Sequence, residues 1–254
     1  TTVRKATIRD GRESSRKTLI QRLISRKGVS MCEKCKDSGV ITWIEIVDGK
    51  SYEFGRTCDC YKVKKAAERM EQAKNDSNIV GIMWNMRLDT YDGNRGAYEK
   101  RIKELAELNL KQPYVWWYIG GRTGTGKTHI CTAICSELLR AKREVYYMKW
   151  REEARELKAL VNDNYKHSKK LKKLQKVDVL YIDDFLQGTV TEADINLAFS
   201  IINERYLYSR KTLFSSELNL AQLAEKSSAI AGRIKEKAGR YVMNVQGMPD
   251  KRLN

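Results

Sequence analysis

No run of apolar residues in this chain approaches the roughly 20 that a membrane-spanning helix requires. The first residues, TTVRKATIRDGRESSRKTLIQ, lack the apolar stretch of a secretory signal, so the chain is expected in the cytoplasm. Acidic residues are in short supply: 32 Asp and Glu stand against 49 Lys and Arg, a net charge of +17. A positive field of that size favours polyanionic partners such as nucleic acid, and it also fits a basic protein that is merely soluble. Internal repeats are missing, and the one low-complexity tract is lysine-rich. What remains, 41% hydrophobic and 32% charged over 254 residues, describes a globular chain long enough for one α/β domain and a small accessory module.

Histidine is nearly absent, and neither His129 nor His167 lies among the first four cysteines. In a reducing compartment the six cysteines are not expected to form disulfides, so spacing must sort them. Cys32 and Cys35 form C-x-x-C, Cys58 and Cys60 form C-x-C, and GVITWIEIVDGKSYEFG lies between. Alternating apolar residues around Asp48-Gly49 predict a hairpin, which returns the chain to its starting point. All four sulfurs can then converge on one tetrahedral Zn2+ with no open position, a structural site and not a catalytic one. Buried free thiols and a redox pair are the alternatives. Cys131 and Cys135, four apart on a predicted helix, are expected to face a sheet as small apolar residues.

Residues 1–27 read as a basic helix, and YKVKKAAERMEQAKNDSN as a connecting helix ending in a linker near residues 75–79. Two regions are therefore expected: 1–78, with the zinc module at about 31–62, and 79–254. In the second, apolar runs at 114–119, 144–149, 177–182 and 212–215 alternate with helical stretches, the pattern of a parallel sheet with crossover helices.

GGRTGTGKTH follows the first of those runs and precedes a helical pattern. Gly121, Gly126, Lys127 and Thr128 satisfy G-x-x-x-x-G-K-T in its required context, a phosphate-binding loop. The set expected around ATP comprises Gly121, Thr123, Gly124, Thr125, Gly126, Lys127, Thr128 and His129, with no specific role given to His129. Backbone N–H groups and the helix N-terminus receive the phosphates, Lys127 neutralises them, and Thr128 places its hydroxyl on Mg2+. VDVLYIDDF then delivers Asp183 and Asp184 to the end of a buried strand, where paired carboxylates are costly without a cation. Asp183 is expected on the magnesium side, and Asp184 at the attacking water. A loop that binds nucleotide without turnover, and a carboxylate pair that only caps a helix, are the competing readings.

GGRTGTGKTHICTAI, VDVLYIDDF, AFSIINERYLYSRKTLFSSELNLAQL, AIAGRIKEKA and GMPDKR together resemble the DnaC/DnaI-type replicative helicase loaders, especially those of phages and prophages of Gram-positive hosts. These are AAA+ ATPases related to DnaA and IstB. The resemblance implies an AAA+ sheet, self-assembly through shared ATP sites, and an N-terminal region that grips a hexameric replicative helicase for placement on single-stranded DNA. It implies a γ-phosphate sensor in FSSEL, for which Ser216 is the candidate, since Glu217 puts a carboxylate that would repel phosphate where the family carries an amide. It further implies that Arg233 is an arginine finger reaching a neighbouring copy, and that Arg252 is a second sensor on a small lid. The same resemblance turns YKHSKKLKKLQK toward a central channel, where Lys169, Lys170, Lys172 and Lys173 would track single-stranded DNA; a solvated basic helix is the alternative. Trp116, Trp117, Tyr146, Tyr147 and Trp150 are expected in the core and not under bases. An IstB-like helper of transposition is the other function considered.

Overall fold

The computed structural model describes residues 31–91, 96–248 and 250. The expected N-terminal helix over 1–27 and Arg252 lie outside them. Two compact units divide the chain, residues 1–69 and 70–254.

In the first unit, β1 (Val40–Val47) and β2 (Lys50–Thr57) pair antiparallel from Val40↔Thr57 to Val47↔Lys50. Asp48 and Gly49 turn the chain with φ of 50° and 76°, the left-handed pair that a two-residue hairpin loop needs. The Cys58 N–H donates to Gly39 O at 2.8 Å and closes the open end of the hairpin. Helix α1 (Asp59–Asp76) begins there and contains the division between the units. The stretch expected as a linker is tied down. Tyr147 N–H donates to Ser77 O at 2.7 Å and Asn78 Nδ2 donates to Tyr147 O at 3.0 Å, so residues 77–78 pair along a strand edge.

The second unit is built on five parallel strands: β3 (Trp117–Gly120), β4 (Val145–Lys149), β5 (Val179–Asp183), β6 (Lys211–Ser216) and β7 (Val242–Asn244), in the order β4-β5-β6-β3-β7. Helices α2 (Ala97–Leu110) and α3 (Lys127–Arg140) pack on one face. On the other lie α4 (Trp150–Ala159), α5 (Asn164–Lys176), α6 (Glu192–Leu207), α7 (Leu220–Lys226) and α8 (Ser228–Ala238). Period-two alternation sorts the strands between two cores: Trp117, Ile119, Tyr147, Tyr181 and Leu213 face α2 and α3, whereas Tyr118, Met148, Ile182 and Phe214 face α6 and α8. Cys131 and Cys135 are fully buried in the first of these. The aromatic residues expected in the core are there, Trp116 and Trp117 with no exposed surface.

Two cations are buried at the edge opposite the strands' carboxyl ends. Arg205 donates to Leu174 O, Val177 O and Lys211 O at 2.9, 2.8 and 2.6 Å, gathering the end of α5 and the start of β6. Lys211 Nζ donates to Asn109 Oδ1, Gln112 O and Val115 O at 2.7, 2.9 and 2.9 Å, which fixes the end of α2. Lys211→Met fills similar volume but leaves those acceptors without a donor. Urea unfolding is expected to show a loss of about 1–3 kcal/mol.

Candidate nucleotide site

Because the strands are parallel and in register, Gly120, Asp183 and Ser216 end side by side at one edge of the sheet. The phosphate loop leaves β3 there. Gly126 adopts φ 86° as the cap of α3, and Lys127 opens the helix. Gly124 has φ 76°, which favours glycine, and a Cβ on it would lie 1.8 Å from Asp250 Oδ1, so that carboxylate would have to move to admit one. Thr125 Oγ1 donates to Arg122 O at 2.9 Å and braces the turn. Lys127 Nζ donates to Gly121 O and Arg122 O at 2.8 and 2.7 Å, folded against the loop that it serves. Burial pushes its ammonium down, opposed by the carboxylates of Asp184, Glu217 and Asp183.

Asp183 is buried and receives four hydroxyls. Thr128 Oγ1 donates to Oδ1 at 3.2 Å, Tyr147 to Oδ2 at 2.9 Å and Tyr181 to Oδ1 at 2.5 Å, and Ser215 also donates to Oδ1. The carboxylate and the Thr128 hydroxyl thus face each other, as one hard cation with oxygen ligands would need. Sequence reasoning missed Tyr147, Tyr181 and Ser215. Ser216, the expected sensor, turns inward, its Oγ donating to Phe185 O at 2.8 Å and accepting the Leu218 N–H at 3.1 Å. The adjacent Ser215 hydroxyl is the one at the carboxylate, because successive side chains on β6 point to opposite faces.

Asp184 breaks the strand with φ 51°, and its N–H donates to Ser215 Oγ at 3.2 Å. Burial pushes its carboxyl up, and the charges of Asp183 and Glu217 add to the rise while Lys127 opposes it. Glu217 itself accepts from Gln187 Nε2 at 2.8 Å. A general base works only when deprotonated, so with Asp184 as the expected base the acid limb of turnover is expected above the ordinary carboxylate range. Glu217→Gln removes one of the charges that raise it. The acid limb of kcat against pH is expected to move to lower pH in this variant, and an unmoved limb would contradict Asp184 as the base. His129, at the start of α3, stacks edge-on to Tyr91 at 5.5 Å and lies 3.2 Å from Arg87 O, so it joins the helix to the segment before α2.

Residues 59–230 match the family described as IstB-like ATP binding protein. The chain belongs to that family. Its ATP-binding domain is therefore that of a P-loop ATPase. YqaM, an uncharacterized protein of Bacillus subtilis (strain 168), is 33% identical over 207 residues, which are 76% of this chain and 64% of YqaM. The chain thus spans a little under two thirds of that relative's length. The crystal structure of DnaI aligns with a TM-score of 0.55 at 24% identity over 69% of this chain and 95% of that one. The crystal structure of the DnaC helicase loader aligns at 0.55 and 20% identity over 66% of this chain and 99% of that one. Both alignments show an AAA+ fold, in agreement with the strand order.

Elsewhere in this IstB-like chain, the four N-terminal cysteines come together. Their Sγ atoms lie within 4.8 Å of one another, with Cys32 to Cys58 at 3.8 Å and Cys35 to Cys60 at 3.2 Å. A tetrahedron with sulfur at about 2.3 Å from its centre has edges of about 3.8 Å, so the cluster has the size that zinc requires. The hydrogen bond from Cys60 holds the Cys35 thiol down at about 7 and pushes Cys60 up.

Arg233, on α8, donates to Asn203 Oδ1 and Ala229 O at 3.0 Å each, and its guanidinium lies 4.7 Å from the Phe199 ring. These contacts leave it half-buried on the surface of α6 and α8. The basic helix α5 divides by face. Lys170 is drawn into ion pairs with Glu153 and Glu156, and Lys173 lies 4.2 Å over the Tyr146 ring. Lys169, Lys172 and Lys173 are all exposed, the first two beside Tyr165. No helix among the described residues is long and apolar enough to cross a membrane.

Proposed function

We propose that this chain is an ATP-dependent loader that places a hexameric replicative helicase on single-stranded DNA in the cytoplasm. The observation that carries the reading is the joining of a DnaC/IstB-type ATP-binding domain to a separate hairpin unit with a four-cysteine clasp. In this reading the cysteine unit grips the helicase and the ATPase drives assembly and release.

At the nucleotide site, the loop from Gly121 to Thr128 binds the phosphates and Lys127 leaves the loop carbonyls for the β/γ oxygens. Mg2+, held by Thr128 and Asp183, would supply charge neutralisation at those oxygens. Tyr147, Tyr181 and Ser215 fix the Asp183 carboxylate, and Asp184 deprotonates or orients the attacking water. Arg233 of an adjacent copy completes the site by stabilising charge on the transferring group. Cys32, Cys35, Cys58 and Cys60 hold a structural Zn2+. On α5, Lys169, Lys172 and Lys173 are placed for a DNA backbone, whereas Lys170 is held by Glu153 and Glu156.

The resemblance to IstB supports a second reading, an ATPase helper of DNA transposition, beside the match to an IstB-like ATP binding protein. Native mass measurement of the chain mixed with the hexameric helicase of its host, with and without ATP, separates the two. A nucleotide-dependent complex is expected for a loader; a helicase that stays free at saturating ATP contradicts it.

A further inference from the structure

The aromatic residues of the central sheet are buried, yet the three on the N-terminal hairpin are not: Trp43, Tyr52 and Phe54 are 39%, 48% and 40% exposed. The pairing Ile41↔Arg56, Trp43↔Phe54, Glu45↔Tyr52 and Val47↔Lys50 sets all three on one face, since opposed residues share a face and neighbours alternate. Trp43 and Phe54 stack with ring centroids 5.9 Å apart and planes inclined by 22°. The single acid on this face, Glu45, accepts the Trp43 indole N–H at 2.8 Å. Lys50 and Arg56 stand at its two ends, both exposed, with Asp59 near enough to Arg56 to feel its charge. The opposite face differs, carrying Val40, Thr42, Ile44 and Ile46 across from Ser51, Glu53, Gly55 and Thr57, with no ring and no cation.

We propose that the face bearing Trp43, Tyr52 and Phe54 binds single-stranded nucleic acid, its rings stacking on bases and Lys50 and Arg56 taking the flanking phosphates. Rings presented flat between cations are the composition of a sequence-tolerant stacking platform, and the complement of an anionic strand with apolar bases. A cross-strand Trp–Phe pair alone would suffice to brace a hairpin, but it would need neither a third ring nor a cation at each end. The site is separate from the lysines of α5 and independent of the loader reading, because a DNA-binding ATPase of either kind would use it.

The test uses the full, metal-loaded chain and a fluorescein-labelled oligodeoxythymidine. Trp43→Ala with Phe54→Ala is expected to weaken binding at least tenfold with the thermal midpoint of the ATPase unit unchanged. Trp43→Phe with Phe54→Tyr should stay within threefold of the parent. Lys50→Gln with Arg56→Gln should reduce the log–log salt slope by about 1.4. Should the alanine pair misfold, photocrosslinking of the parent to an iododeoxyuridine oligonucleotide decides, with the adduct expected on residues 43–54. Unchanged affinity in the alanine pair, adducts confined to α5, or loss of a protein partner with oligonucleotide binding intact would each overturn the proposal. Failure of helicase binding alone would leave it standing.

Discussion

Asp184→Asn is expected to lower ATP turnover by about 10²- to 10⁴-fold while ATP binding stays within severalfold of the parent. The two carboxylates differ in how they are held. Four hydroxyls surround Asp183, among them Thr128 at 3.2 Å and Tyr147 at 2.9 Å, an arrangement that fixes a carboxylate beside a cation. Asp184 follows with φ 51°, which swings its side chain off the strand. The amide keeps the shape of the acid and removes its basicity. Phosphate binding rests on the loop and Lys127, which the substitution does not touch, so affinity and turnover should separate. Single-turnover kinetics and equilibrium nucleotide binding check both halves, and a variant with near-parental kcat would assign the base elsewhere.

Removing the Zn2+ proposed for the cysteine clasp is expected to have the second large effect. The hairpin exposes both faces, with Ile44 and Ile46 at 69% and 77% exposure, so burial contributes little to its folding. Structural zinc contributes on the order of 10 kcal/mol or more at neutral pH, enough to hold such a unit. Chelation, or Cys35→Ser, should therefore melt the hairpin and leave the five-stranded sheet and ATP binding in place. Because zinc binds thiolates, lowering the pH protonates the ligands and should release the metal in the same way. Loss of hairpin amide signals, with zinc release followed by a chromogenic chelator, is the measurement. A chain that retains those signals with no zinc bound would show the thiols to be a merely packed cluster.

Much of the nucleotide site was legible in the sequence because its chemistry is local. Glycines, Lys127 and Thr128 act within one turn of chain, and Asp183 and Asp184 announce themselves as carboxylates at the end of an apolar run. The hairpin was equally plain, since Asp48-Gly49 is a local turn signal. Tyr147, Tyr181 and Ser215 were not legible. Tyr147 and Ser215 reach Asp183 through strand order and Tyr181 from two residues earlier on the same face of β5, and a buried tyrosine reads the same whether its hydroxyl is idle or bonded. β7 is three residues long and gave no periodicity to read. Arg205 and Lys211, charged by type, gave no hint of burial. The division of α5 was available in principle. Lys170 lies one turn before the buried Leu174 on the same helical face, whereas Lys169 and Lys172 fall outside it.

The central claim is that one copy's nucleotide site is completed by the Arg233 of another, which couples ATP state to assembly. Mixing two inactive variants tests it most directly. Lys127→Ala cannot use its own site but still presents Arg233, and Arg233→Ala retains the site but lacks the guanidinium. Combined in equal amounts under assembly conditions, with the helicase present, they are predicted to regain ATP turnover well above the sum of the two alone. A mixture that forms mixed assemblies and yet stays at that sum would contradict the account.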